Sequence, residues 1–196
     1  MNNNQVVDAF EKTIVSKINQ VNTAIPGKII AYNPGNNRAT VQPNGGRTFE
    51  DGRTLPYPTI SNVPVIFPSG TGGKAGITFP IISGDGCLLV FSQDNMQTYL
   101  SKTETDDQRK FQLSDAICIP GLYSGTTATA VSNPNDVCLS NGDSKVSLGA
   151  GGFAGNTADG TTFSFSGGDL VVNGISLTKH VHGGVETGGG TTSTPQ

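Results

Sequence analysis

The chain has 196 residues and a mass of 20.2 kDa, enough for one or two domains. Aromatic residues make up only 7% and Trp is absent, so one large globular core does not fill the chain. Charged residues are 14%, the net charge is -3 and there are 27 glycines. This excludes high-charge disorder, argues against nucleic acid as a partner and fits β structure with many turns.

No run approaches the roughly 18 apolar residues of a membrane span. The opening Met1-Asn2-Asn3-Asn4 lacks the basic and apolar regions of a secretory signal. Cys87, Cys118 and Cys138 are odd in number and widely spaced. They read as small buried hydrophobes in a chain made in a reducing cytoplasm.

Val7, Phe10, Ile14, Ile18 and Val21 recur at spacings of three and four, the apolar stripe of a helix. Asn4 is its expected N-cap, and Pro26-Gly27 is expected to stop it. Such a helix is too short to stand alone. It must pack on its own domain, on sister chains or on a larger partner.

From Gly27 the period becomes that of strands. Lys28-Ile29-Ile30-Ala31-Tyr32 and Ala39-Thr40-Val41-Gln42 flank the turn residues 33–37, a hairpin signature. A Gly- and Pro-rich loop is expected over 43–58. Residues 63–68 read as a strand whose prolines place it at an edge, and residues 77–81 as another. Cys87-Leu88-Leu89-Val90-Phe91 is apolar throughout and reads as a buried central strand. Four to six short strands with no convincing helix between them predict a small closed barrel, an OB-fold.

Two features that could carry chemistry are discounted. Asp85 and Asp115 each lie between a turn and an apolar run, which fits turn capping better than acid–base catalysis. Gly70-Thr71-Gly72-Gly73-Lys74 lacks both the spacing of a phosphate loop and the helix that must follow it. Residues 101–110 form the most charged window, an expected exposed loop. No catalytic constellation is found.

After Leu122 the composition shifts: residues 124–196 hold 15 Gly and only seven charged residues. Strand-like runs recur at 137–139, 145–148, 162–166 and 169–172. One such chain cannot bury enough apolar area to fold alone. Three chains around a common axis can, with Phe163, Phe165, Ile175 and Leu177 lining it. The alternative is a flexible Gly-rich tail.

The only histidines are His180 and His182. On an extended strand they share a face, and imidazole is a common metal ligand. Two from each of three chains would give six nitrogens, which suits octahedral iron, cobalt or nickel better than structural zinc. The pair could equally be solvated polar surface. Its strand parity matches Ser176 and Thr178 rather than Ile175 and Leu177. A shift near Lys179 is therefore needed to turn it inward.

Residues 27–43, 63–68, 79–86 and 113–122, followed by His180-Val181-His182-Gly183-Gly184, resemble the central spike proteins of contractile-tailed bacteriophages. The resemblance implies a mainly β homotrimer with four parts. These are an N-terminal helix (1–26), an OB-fold barrel (27–122), an intertwined β-helix stem (123–168) and a pointed apex (169–196). It implies one iron ion held by His180 and His182 of three chains. It also implies a place in the virion baseplate, docking on a hub or tail tube protein through the barrel, and piercing of the host outer membrane by the tip. The alternatives are a trimeric β-helical adhesin for a host glycan, which calls for exposed aromatic and carboxylate clusters on the stem, and a nucleic-acid-binding OB protein, which calls for basic and aromatic residues on the barrel.

Overall fold

The computed structural model describes residues 3–49, 51–102, 106–123, 134–184 and 188. The chain divides into two compact units, Met1–Thr129 and Ala130–Gln196.

The first unit opens with helix α1, Asn3–Ile18. Asn4 lies inside it rather than capping it. Pro26-Gly27 does not end it either, because the helix stops earlier and both residues belong to strand β1, Ala24–Asn33. Pro26 needs no N–H there, and its carbonyl accepts from the Asn44 amide at 2.7 Å. The buried Asn22 pins the link between helix and strand, donating from Nδ2 to the Phe111 carbonyl at 2.8 Å. The stripe of α1 is not covered by the described residues: Phe10 is 66% and Ile18 63% exposed.

Strand β2, Arg38–Pro43, pairs antiparallel with β1 around the expected turn. Asn33 Oδ1 accepts from the Gly35 amide at 2.9 Å, and Tyr32 Oη bonds Asn37 Oδ1 at 3.0 Å. The expected loop over 43–58 contains a further hairpin, β3 (Gly46–Thr48) with β4 (Thr54–Pro56). β5 is Ile60–Pro64, and β6 (Ser69–Gly70) pairs with β7 (Ala75–Gly76). A turn of 3-10 helix over Thr71–Gly73 links β6 to β7, with no α-helix following. Residues 77–81 form no strand. Pro80 cannot donate to a ladder, and Phe79 instead packs edge-on against Phe67 at 5.0 Å.

β8, Gly86–Phe91, lies between β1 and β9 (Ala116–Pro120). It is central as expected, but only alternate residues are buried: Cys87, Leu89 and Phe91 face the core. A short helix α2, Met96–Ser101, intervenes between β8 and β9, where none was expected. Asn95 caps it, accepting from the Gln97 amide at 2.9 Å.

The strand order is β5-β2-β1-β8-β9, and the sheet curls until its two ends meet. Val65, just past β5, bridges Cys118 of β9 in parallel, and the Ile66 amide donates to the Cys118 carbonyl at 3.0 Å. Asn37 holds Val65 in place from both sides, through Nδ2 to its carbonyl (2.8 Å) and its own carbonyl to the Val65 amide (3.1 Å). The enclosed core includes Ile29, Val41, Val63, Cys87, Leu89 and Cys118.

Asp85 caps a turn as expected, accepting from the Ile82 amide at 2.8 Å. Asp115 does more. It is 1% exposed, and its two oxygens meet Arg109 Nε at 2.6 Å and Nη2 at 2.9 Å while Oδ1 also takes the Met96 amide at 3.0 Å. Burial pushes its carboxyl up; the Arg109 guanidinium and the Met96 amide outweigh that and hold it below the usual carboxylate range. Its contribution is therefore full above the unfolded carboxylate pKa of about 4 and is lost as pH falls through the lower folded value. Arg109→Met leaves a buried charge uncompensated, a loss of about 2–4 kcal/mol after discounting the partial exposure of Arg109. Urea unfolding at pH 7 and pH 3 checks both, with the mutant's deficit shrinking at the lower pH.

The second unit is a six-stranded antiparallel meander in sequence order. Its strands are β10 (Val137–Asn141), β11 (Ser144–Gly149), β12 (Gly152–Asn156), β13 (Thr162–Ser166), β14 (Asp169–Val172) and β15 (Ile175–Ser176). Four of these match the expected runs. β12 was not expected, because its Gly-rich sequence reads as a turn. Gly155 is needed there, since a Cβ would lie 2.5 Å from the Phe163 ring.

Candidate functional site

The register of the second unit sorts its side chains by face. Leu148 opposes Phe153, Phe153 opposes Phe165, and Phe165 opposes Leu170. One step along, Val146 opposes Gly155, Gly155 opposes Phe163, Phe163 opposes Val172, and Val172 opposes Ile175. Directly paired residues and alternate residues share a face, so all of these lie on one side of the sheet. Ser140, Lys145, Ser147, Ala154, Ser164, Ser166 and Asp169 fall on the other. Phe153 contacts the rings of Phe163 and Phe165 at 5.8 and 6.3 Å. Yet among the described residues of this unit none is buried: Phe165 is 52% and Ile175 65% exposed. Sheet and apolar face are built, but none of the described residues covers them.

The sheet ends in a polar turn that carries the histidines. Asn173 (φ 48°) and Gly174 (φ 81°) reverse the chain between β14 and β15, a conformation these two residue types tolerate best. The Asn173 amide donates to the Thr162 carbonyl at 3.0 Å, and its Oδ1 accepts from the Thr162 amide at 2.8 Å. Beyond β15 the strand does not continue. Leu177, Thr178 and Lys179 form a turn, closed by the His180 amide donating to the Ser176 carbonyl at 3.2 Å.

Asp169 is the hub of that turn. It accepts from Ser176 Oγ at 2.5 Å and from the Thr178 amide at 3.2 Å, while Ser176 Oγ accepts from the Lys179 amide at 2.8 Å. The Ser176 hydroxyl is the main reason its carboxyl lies below the ordinary value, with slight burial opposing. Asp169 and Ser176 were not singled out from sequence. The signal was present: a hairpin reversing at Asn173-Gly174 puts residue 169 opposite residue 178.

His180 and His182 are thus not on an extended strand, and the parity that pointed them away from the apolar face does not apply. The turn lies where a shift near Lys179 was needed. His180 Nδ1 sits 2.8 Å from the Ser176 carbonyl and 3.1 Å from that of Leu177. Carbonyls only accept, so Nδ1 carries the proton and Nε2 keeps its lone pair. The two rings meet edge to face with centres 5.0 Å apart. Two neighbouring imidazoles, with Nδ1 of His180 tied to the backbone, are a donor set that would suit a metal ion through Nε2. One chain supplies two imidazoles, and among the described residues no cluster of three or more His, Cys, Asp or Glu could hold a metal ion. Val181 between them is 90% exposed. Gly184 has φ 75°, in the left-handed region that favours glycine. Residues 189–196 lie outside the described residues.

The other candidates resolve structurally. Cys87 and Cys118 fill the core of the first unit, and Cys138 is half-buried in the second. Of the charged window, residues 103–105 lie outside the described residues. Its remainder includes Arg109, bound to Asp107 and Asp115, and Lys110, bound to Asp94.

Two family models match the chain. The phage protein Gp138 N-terminal domain covers residues 25–121, and the GpV Apex motif covers residues 174–196. The first takes in the whole curled sheet, the second the turn and both histidines. No curated protein matches the chain.

Proposed function

The chain belongs to the spike proteins of phage baseplates, and we propose that it is the central spike that pierces the host outer membrane as a contractile tail delivers its genome. A structural place in the tail follows from the family; piercing is the mechanical reading. The observation that carries it is the exposed apolar face of the second unit. Three copies closing these faces around one axis make a narrow prism with a continuous core. A chain in such a prism cannot fray without breaking its contacts with the other two, which is what an axial load demands.

In this reading the first unit is an OB-fold. Its closed order β5-β2-β1-β8-β9, with α2 between the last two strands, supports that. It docks on a hub or tail tube protein, and the second unit faces the cell. His180 and His182 of three chains hold one ion, and the relatives that the sequence resembles favour iron. Bound only by the assembled trimer, the ion adds its binding free energy to that state and clamps the strand ends. Asp169 positions the site through Ser176. Asp169→Asn is expected to weaken metal affinity 10–100-fold, the usual effect of removing an outer-shell partner, without changing oligomeric state. Competition with a chelator followed by mass determination checks both.

The test of piercing uses phage particles. Tails assembled with a chain ending after Tyr123 should adsorb and contract, while genome delivery falls by orders of magnitude. Undiminished infectivity would exclude the reading.

A further inference from the structure

Arg38 opens β2 opposite Pro64, and its Nη1 is shielded from solvent with no acceptor. A shielded guanidinium nitrogen without a partner is costly and rare. The same chain fully pairs its other partly buried arginine: Arg109 meets Asp107, Asp115 and Asn95. Arg38 lines a cavity of about 210 Å³ between α2 and the ends of β2, β5 and β9. The polar residues around it are Asn62, Gln97, Ser101 and Ser114. None of them carries a charge. The Ser101 hydroxyl already donates to the Gln97 carbonyl at 2.6 Å and the Ser114 side chain bonds Asp115, which leaves the Asn62 and Gln97 amides as donors. Among the described residues no carboxylate lines the cavity.

The cavity wall is also irregular. Pairing between β2 and β5 jumps from Ala39↔Val63 to Val41↔Ile60, a bulge, and Asn62 within it has φ 60°. Bulges re-aim side chains and concentrate beside functional sites, and Asn tolerates the left-handed conformation that this one requires. The unpaired cation, the two uncharged amide donors and the bulge coincide at one place.

We propose that this cavity is a carboxylate socket, with Arg38 supplying the charge and the Asn62 and Gln97 amides the remaining donors. At this size it takes a carboxylate on a short stem rather than a drug-sized ligand, whose pockets run about 300–1,000 Å³. The carboxylate comes either from a small free acid or from an Asp or Glu side chain of a polypeptide docked over this end of the sheet.

The test is thermal unfolding of the full-length protein at constant ionic strength in chloride, in acetate, and with the blocked peptide N-acetyl-Gly-Glu-Gly-amide. Wild type should unfold a few degrees higher with carboxylate than with chloride. A rise with acetate alone identifies a free acid; an equal or larger rise with the peptide identifies a polypeptide side chain. Arg38→Met should lose the carboxylate-dependent rise. In chloride it should unfold no lower than wild type, because it removes an unpaired charge. Three results would each overturn the socket: no rise beyond chloride in wild type, a rise retained in Arg38→Met, or a drop of several degrees in that variant in chloride alone.

Discussion

Phe163→Asp together with Phe165→Asp is expected to convert the trimer to monomers and unfold the second unit. Both residues lie at the centre of the apolar face, with Phe163 opposed by Gly155 and Val172 and Phe165 by Phe153 and Leu170. Burying a Phe is worth about 1.5–3 kcal/mol, and three chains each lose two. Each chain would also bring two carboxylates into an apolar core with no cation to meet them, a far larger penalty. The first unit has its own enclosed core and should stay folded. The control is Ser140→Asp, which puts the same charge on the opposite, polar face and should leave a trimer. Circular dichroism and light scattering on both variants separate loss of the face from a general effect of added charge. A trimer that survives the double substitution would mean that this face is not the interface.

The second large effect concerns the tip. His180→Ala with His182→Ala should remove all bound metal, about one ion per three chains by elemental analysis, while the trimer persists with a transition several degrees lower. Chelation of the native protein should lower the transition to the same point. Acidification should release the ion as well, because a metal-bound imidazole must be neutral and protons compete for Nε2. Metal retained in the double variant, or native protein purified with none, would exclude the site and leave a tip held by packing.

Much of this was legible where a local pattern settles the outcome. The β1–β2 hairpin follows from Asn33 to Asn37, whose side chains bond their own turn. The helical stripe from Val7 to Ile18 forms a helix even though it stays exposed among the described residues. The misses have a shared cause: contacts distant in sequence decide them. Asp115 reads as a turn cap until Arg109 folds over it. β12 reads as a Gly-rich turn until Phe163 is seen to need the space at Gly155. Residues 77–81 look like a strand, but Pro80 removes a donor and Phe67 takes Phe79. At the tip, Ser-x-Thr after a short strand hides a turn because its acceptor, Asp169, sits across the hairpin. That turn, absent from any period-two reading, removes the parity objection to the histidines.

The central claim is that three copies close their apolar faces on one another. The mass of the native full-length chain in solution, by light scattering at micromolar concentration, tests it most directly. The account predicts about 61 kDa, three chains of 20.2 kDa in a closed cyclic assembly. A mass near 20.2 kDa would contradict it.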